Sequence, residues 1–242
     1  MLLPTPMAMA VPTQAELAVL PPYCAARLNE SSEEFKSWRS TMGGDFIHIH
    51  HYCNGLSLLS RARGTFSSSD NGTLGAAVRE FDYVLTNATP GFYLRPEILM
   101  NRGMALSMMK HNGEAISNLL QAIELDAKQP RAYMALADLY DEQKNRSKAL
   151  QTVTEGLRHN PGSRSLQRRY TELGGKLPYP APIEPVPADP LAAKTDKPAT
   201  PTPASAAEPA SGTPATVAPV AEPAAPAHIG SPKNPYCRFC PD

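Results

Sequence analysis

Ala115 and Ala149 stand 34 residues apart, and the same spacing of small and apolar residues recurs around each. Asn101-Arg-Gly103-Met-Ala-Leu106 precedes Gly113-Glu-Ala115-Ile116, then Leu119, Ala122-Ile123 and Leu125. Tyr133-Met-Ala-Leu136-Ala137-Asp-Leu-Tyr140 precedes Lys148-Ala149-Leu150, then Val153, Gly156-Leu157 and Pro161. Apolar residues three and four apart line one face of a helix, and small residues at matching places let two helices cross closely. A helix pair of this kind cannot bury its apolar face alone, so successive pairs must stack.

A divergent third copy lies upstream. Gly55 takes the place of Gly103, with Tyr52 and Leu58 around it, and Ala77, Phe81 and Val84 fit a second helix. Between Gly55 and Ala77 the chain is ten residues longer than in the other copies, and the excess is expected as a loop near Gly64–Gly72. Such long loops are usually functional or unstructured. A closing helix from Ser163 to Leu173 ends at Gly174-Gly175, and its charged face suits the polar outer surface of a terminal repeat. The 34-residue period, small residues at the eighth and twentieth positions and a proline at the thirty-second resemble the tetratricopeptide repeat. Repeats are expected at about 47–88, 96–128 and 130–162 with a cap at 163–174, inside a helical domain of residues 21–175.

The resemblance implies an all-α fold: a short right-handed superhelix of about three helix pairs plus a capping helix, with a concave face that binds a peptide. On the family pattern that face is lined by Ile49, Tyr52, Leu56 and Leu59; by Glu97, Met100, Met104 and Ser107; and by Arg131, Met134, Asp138 and Asp141. Tyr52, Leu56, Met100, Met104, Met134, Asp138 and Asp141 are the candidate partner contacts. One subset of the family grips a terminal carboxylate with Lys and Asn, and this sequence departs from that pattern. The expected groove is apolar and methionine-rich with an acidic end. Methionine adapts to varied apolar partners, which favours a hydrophobic peptide or helix as occupant. Glutamate at Met100 or Met104 is then expected to abolish binding without unfolding the chain.

The ends of the chain differ from its middle. Of 26 prolines, 17 lie at or after Lys176, and no Phe, Trp or Tyr stands between Tyr179 and Tyr236. Residues 176–233 therefore read as a disordered, extended Pro/Ala-rich spacer. At 234–242 two aromatics and Cys237-Arg-Phe-Cys240 return as a short tip. At the other end, residues 1–20 form an extension in which Ala8-Met9-Ala10 has the look of a signal cleavage site, while no basic residue precedes Arg27. A signal-like segment and a frayed end are both open there. With 23 Lys+Arg against 23 Asp+Glu, the chain lacks the cationic excess of a nucleic-acid binder, and no apolar run is long enough to span a membrane.

His48-Ile-His50-His51-Tyr-Cys53 is a cluster the repeat does not require. On a helix, His48 and His51 share one face and His50 and Cys53 another. Cys24 and Cys53 could pair as a disulfide that staples the N-terminal segment to the first repeat. Alternatively His48, His50, His51 and Cys53, with Cys24, could hold zinc or another transition metal, although the usual paired spacings are absent. Cys237 and Cys240 fit a local disulfide, half a zinc site or a docking tip. No nucleophile motif, phosphate loop or metalloprotease motif occurs, so no catalytic residue and no resident cofactor is expected. These features point to a non-enzymatic scaffold that binds a protein partner, exported to the periplasm as an accessory or assembly factor of a bacterial envelope complex. A metal-binding or thiol-redox accessory protein, and a cytoplasmic location, are the alternatives.

Overall fold

The computed structural model describes residues 12–64 and 71–183. Among them the ordered elements are helices. Three helix pairs follow one another: α4 (Ile49–Gly64) with α5 (Asn71–Asn87), α6 (Arg95–Met108) with α7 (Asn112–Leu125), and α8 (Pro130–Glu142) with α9 (Arg146–His159). Helix α10 (Arg164–Glu172) closes the row. Each helix packs on the next, and the first helices of the pairs also touch one another, α4 on α6, α6 on α8 and α8 on α10. That pattern puts α4, α6, α8 and α10 in one layer, with α5, α7 and α9 outside it.

Small residues set how closely the layers approach. A Cβ added at Gly55 would meet the Phe81 ring at 2.5 Å, and one at Gly103 would meet Leu119 Cγ at 2.9 Å. Phe81 lies four residues after Ala77, as Leu119 lies four after Ala115. The divergent first pair therefore packs in the same register as the second. Turns recur as well. Lys110 and Lys144, 34 residues apart, both take the left-handed conformation, with φ of 64° and 61°. The next amide in each case bonds five residues back, His111 to the Leu106 carbonyl and Asn145 to that of Tyr140. This closes each first helix with a left-handed cap. Pro96 and Pro130 sit in the first turns of α6 and α8, where a missing amide proton costs nothing. The excess in the first pair is partly helical: Gly64 ends α4, Asn71 and Gly72 begin α5, and only 65–70 remain between them, outside the described residues.

The N-terminal region is more structured than its sequence suggests. Helix α1 (Gln14–Val19) starts with a capping box in which Thr13 and Glu16 bond each other's backbone amides. Helix α2 (Pro22–Ala26) packs on α4, and α3 (Glu33–Met42) leads through a 3-10 turn at Gly43–His48 into α4. Tyr23, Phe35, Phe46, Tyr52 and Phe81 form an aromatic core under this cap. Past the closing helix, residues 176–183 are not free spacer. The Ile183 amide donates to the Arg158 carbonyl at 2.9 Å, and Tyr179 meets Tyr170 edge-on. The remainder of the expected spacer, Ala8-Met9-Ala10 and the 234–242 tip with Cys237 and Cys240 lie outside the described residues. No helix among those described is long and apolar enough to cross a membrane.

Candidate partner-binding groove

A cleft of about 420 Å³ opens on the inner layer. Leu56, Leu59, Ser60 and Arg63 of α4 form one wall, with Glu97 and Asn101 of α6 and Arg131 of α8 across from them. Val19 at the end of α1, with Leu20 and Pro21 between α1 and α2, closes one end. A second depression of about 270 Å³ shares Glu97 and Arg131 and continues over Met100, Lys128, Gln129 and Pro130. The N-terminal strap is fixed over this end in two ways. Arg61 and Glu16 form a two-pronged ion pair, one arm being Nη2 to Oε2 at 2.8 Å. That guanidinium holds the Glu16 carboxyl well below the usual carboxylate range. The second anchor is the Cys24–Cys53 disulfide, with Cα atoms 5.6 Å apart.

Beneath the cleft lies a buried polar network. Asn101, 1% exposed, donates to the Tyr52 hydroxyl at 2.9 Å and to the Glu97 carbonyl at 3.0 Å. The Glu97 carboxylate lies close enough for its charge to act on the Tyr52 hydroxyl. Burial, with the Glu97 charge added, pushes the Tyr52 and Tyr23 hydroxyls far above their ordinary values, so both stay protonated.

The expected contacts are divided by this arrangement. Leu56 lines the cleft; Met104 is half-buried with its sulfur against Arg63 of the cleft wall, and Met134 is half-buried against the cluster of α8, α9 and α10 and is not part of the lining. Tyr52, at 0% exposure, and Met100, at 2%, are core residues and offer a partner almost no surface. Ile49 and Leu59 are buried with them. The reason is curvature: adjacent first helices approach closely enough that these inward positions pack on one another. The expected acidic end is already neutralised. Arg169 of α10 reaches Asp138 at 2.9 Å and Asp141 at 3.0 Å. The groove is accordingly more polar than the methionine-rich trough expected, and Arg63 is an exposed groove residue, with Asn101 buried beneath it, that the repeat pattern did not single out.

The histidines lie beside the groove's floor, at the start of α4. His51 donates from Nδ1 to Glu80 Oε2 at 2.5 Å, and its ring lies tilted against that of Tyr83, with centroids 3.6 Å apart. His50 donates to the Ile47 carbonyl at 2.8 Å. Burial first, then the neighbouring His51 and Arg27, pushes the His50 ring down to about 3. Burial also lowers His48. The expected metal set of His48, His50, His51 and Cys53 is corrected on one point: the Cys53 sulfur is bonded to Cys24 and is no thiolate ligand. Among the described residues no three His, Cys, Asp or Glu side chains are arranged to hold a metal ion.

Residues 108–170, from the end of α6 into α10, match the family model described as tetratricopeptide repeat. The chain contains tetratricopeptide repeats. No curated protein matches it. The geometry carries the repeat arrangement upstream of the matched stretch, because Gly55 and Phe81 reproduce the contact made by Gly103 and Leu119. As a repeat protein the chain has a protein–protein interaction role in general, and its inner helix layer is where the cleft lies.

Proposed function

We propose that the chain is a non-enzymatic scaffold that binds a peptide or helix of a partner protein in the cleft between α4, α6 and α8. The carrying observation is the cleft itself: about 420 Å³ on the inner layer, closed at one end by a covalently fixed strap. A walled groove with apolar side chains and a few fixed polar groups suits an extended or helical segment. Met104, in contact with Arg63 of the wall, adds adaptable apolar surface at its edge.

The disulfide supports a place in an oxidising compartment, since such bonds are kept reduced in the cytosol. The sequence beyond Ile183 is rich in Pro and Ala, a composition in keeping with an accessory or assembly factor of an envelope complex. The experiment is a selection of short displayed peptides on the full chain, repeated with Ser60→Trp. Ser60 is exposed and lines the cleft, so the indole fills it without disturbing the core. Selected peptides should lose binding to this variant; unchanged binding to a folded Ser60→Trp protein would refute the groove reading.

A further inference from the structure

Arg63, at the end of α4, and Arg131, at the start of α8, line the same cleft. Neither forms an ion pair among the described residues, although most arginines around them do. Arg61 pairs with Glu16, Arg102 with Asp82 at 2.6 Å, and Arg169 with three carboxylates. The Arg63 guanidinium instead ends 3.5 Å from the Met104 sulfur, a weak acceptor. The two positive charges feel each other. Arg63 is held below its ordinary value by partial withdrawal from water and then by the charge of Arg131. Glu97 shares the cleft but forms no ion pair with either guanidinium among the described residues, and one carboxylate leaves two guanidinium charges in excess by one. Like charges gathered at one exposed cleft repel weakly, and an anion seated between them turns that repulsion into attraction. Beside them lie the half-buried apolar side chains of Leu20 of the strap and Leu56 of α4.

We infer that the groove selects an acidic partner segment: a carboxylate side chain seats between Arg63 and Arg131, and an apolar residue about one helical turn away packs on Leu20 and Leu56. This rests on the groove being the binding face. Guanidinium forks suit carboxylates, and such charge-assisted bonds are among the stronger ones. An internal side chain is meant, so the probes are selected peptides synthesised with amidated C-termini.

The test compares these peptides with versions in which Asp and Glu are replaced by Asn and Gln, and compares the full chain with its Arg63→Gln/Arg131→Gln variant. Both arginines are exposed, and an unchanged melting curve checks that the variant is folded. Selected peptides should be enriched in Asp or Glu. Removing either the peptide acid or the two arginines should weaken binding by about tenfold or more, and removing both should cost little beyond either alone. Salt should weaken the wild-type complex more than the variant complex. Peptides without acidic excess, or equal affinity for the double variant, would overturn the inference. If such peptides still lose binding to Ser60→Trp, the groove reading survives that failure; if they do not, both fall. A phosphoserine in place of the acid that binds more than about tenfold tighter would overturn the choice of a carboxylate.

Discussion

Replacing Cys24 and Cys53 together by serine should destabilise the N-terminal half of the domain by a calculable amount. The two residues are 29 apart in sequence, so the bond closes a loop of that size in the unfolded chain. Loop-closure entropy for such a loop is worth ~3.6 kcal/mol at 25 °C in the chain-entropy account. For a domain of roughly 170 residues that corresponds to a fall in Tm of about 7–14 °C. Cys53 is 5% exposed and Cys24 is 2% exposed, so two buried hydroxyls add to the loss. Stacked repeats open locally as well as globally, and the damage should therefore be uneven. The assays are a thermal melt followed by circular dichroism and limited proteolysis at matched temperatures. Cleavage should appear first near α1 and α2, which the Glu16–Arg61 pair alone cannot hold, while α8 to α10 resist. Wild-type protein in excess dithiol should behave as the variant does. Melting within about 2 °C of wild type, with the strap still protected, would refute the reasoning.

Three further outcomes follow from packing and burial. Gly55→Ala puts a methyl group 2.5 Å from the buried Phe81 ring and should cost ~1–2 kcal/mol, overpacking outweighing the gain in helix propensity. Gly113→Ala, with nothing within 4 Å, should be neutral or stabilising by up to ~1 kcal/mol, and urea titration of both proteins reads the opposite signs. Met100→Glu should unfold the second repeat instead of merely blocking a partner, because the side chain is 2% exposed among Leu99, Leu106 and Leu136; loss of the cooperative melt checks it. His50 is pushed down to about 3 in the fold from an ordinary 6.5. Between these values the unfolded chain binds a proton that the folded chain does not, so stability is present above pH 6.5 and is lost as pH falls, by up to ~1.4 kcal/mol per pH unit. His50→Gln should flatten that part of a pH-stability profile.

The repeats were legible because close helix crossing admits few residue types. Gly103 facing Leu119 and Gly55 facing Phe81 cannot be enlarged, and that constraint recurs at a fixed spacing. The pairing of Cys24 with Cys53 was legible as one of several options, which the packing of α2 on α4 decides. The strap was not read, although Thr13 and Glu16 carry the capping-box signal of a helix start. Its place over the cleft depends on Arg61, 45 residues away, and no local pattern announces such a pair. Arg63 escaped because α4 runs further than its counterparts, carrying the chain beyond the positions a 34-residue template assigns to the groove. Tyr52 and Met100, expected as partner contacts, are 0% and 2% exposed. The period fixes direction around a helix, while the distance between neighbouring first helices decides what remains exposed. Asp138 and Asp141 were expected as the groove's acidic end, and the closing helix brings Arg169 to both, a pairing that the repeat pattern does not announce.

The most direct measurement places a photo-crosslinking amino acid at Ser60, on the cleft wall, and in a second protein at Leu120, which is 47% exposed on the outer helix α7. Both proteins are expressed in their own cells and irradiated. The account predicts a discrete covalent adduct with a partner protein from Ser60, weakened when Arg63 and Arg131 are both changed to glutamine, and none from Leu120. An adduct from Leu120 with none from Ser60 would place the partner on the outer layer and contradict the account.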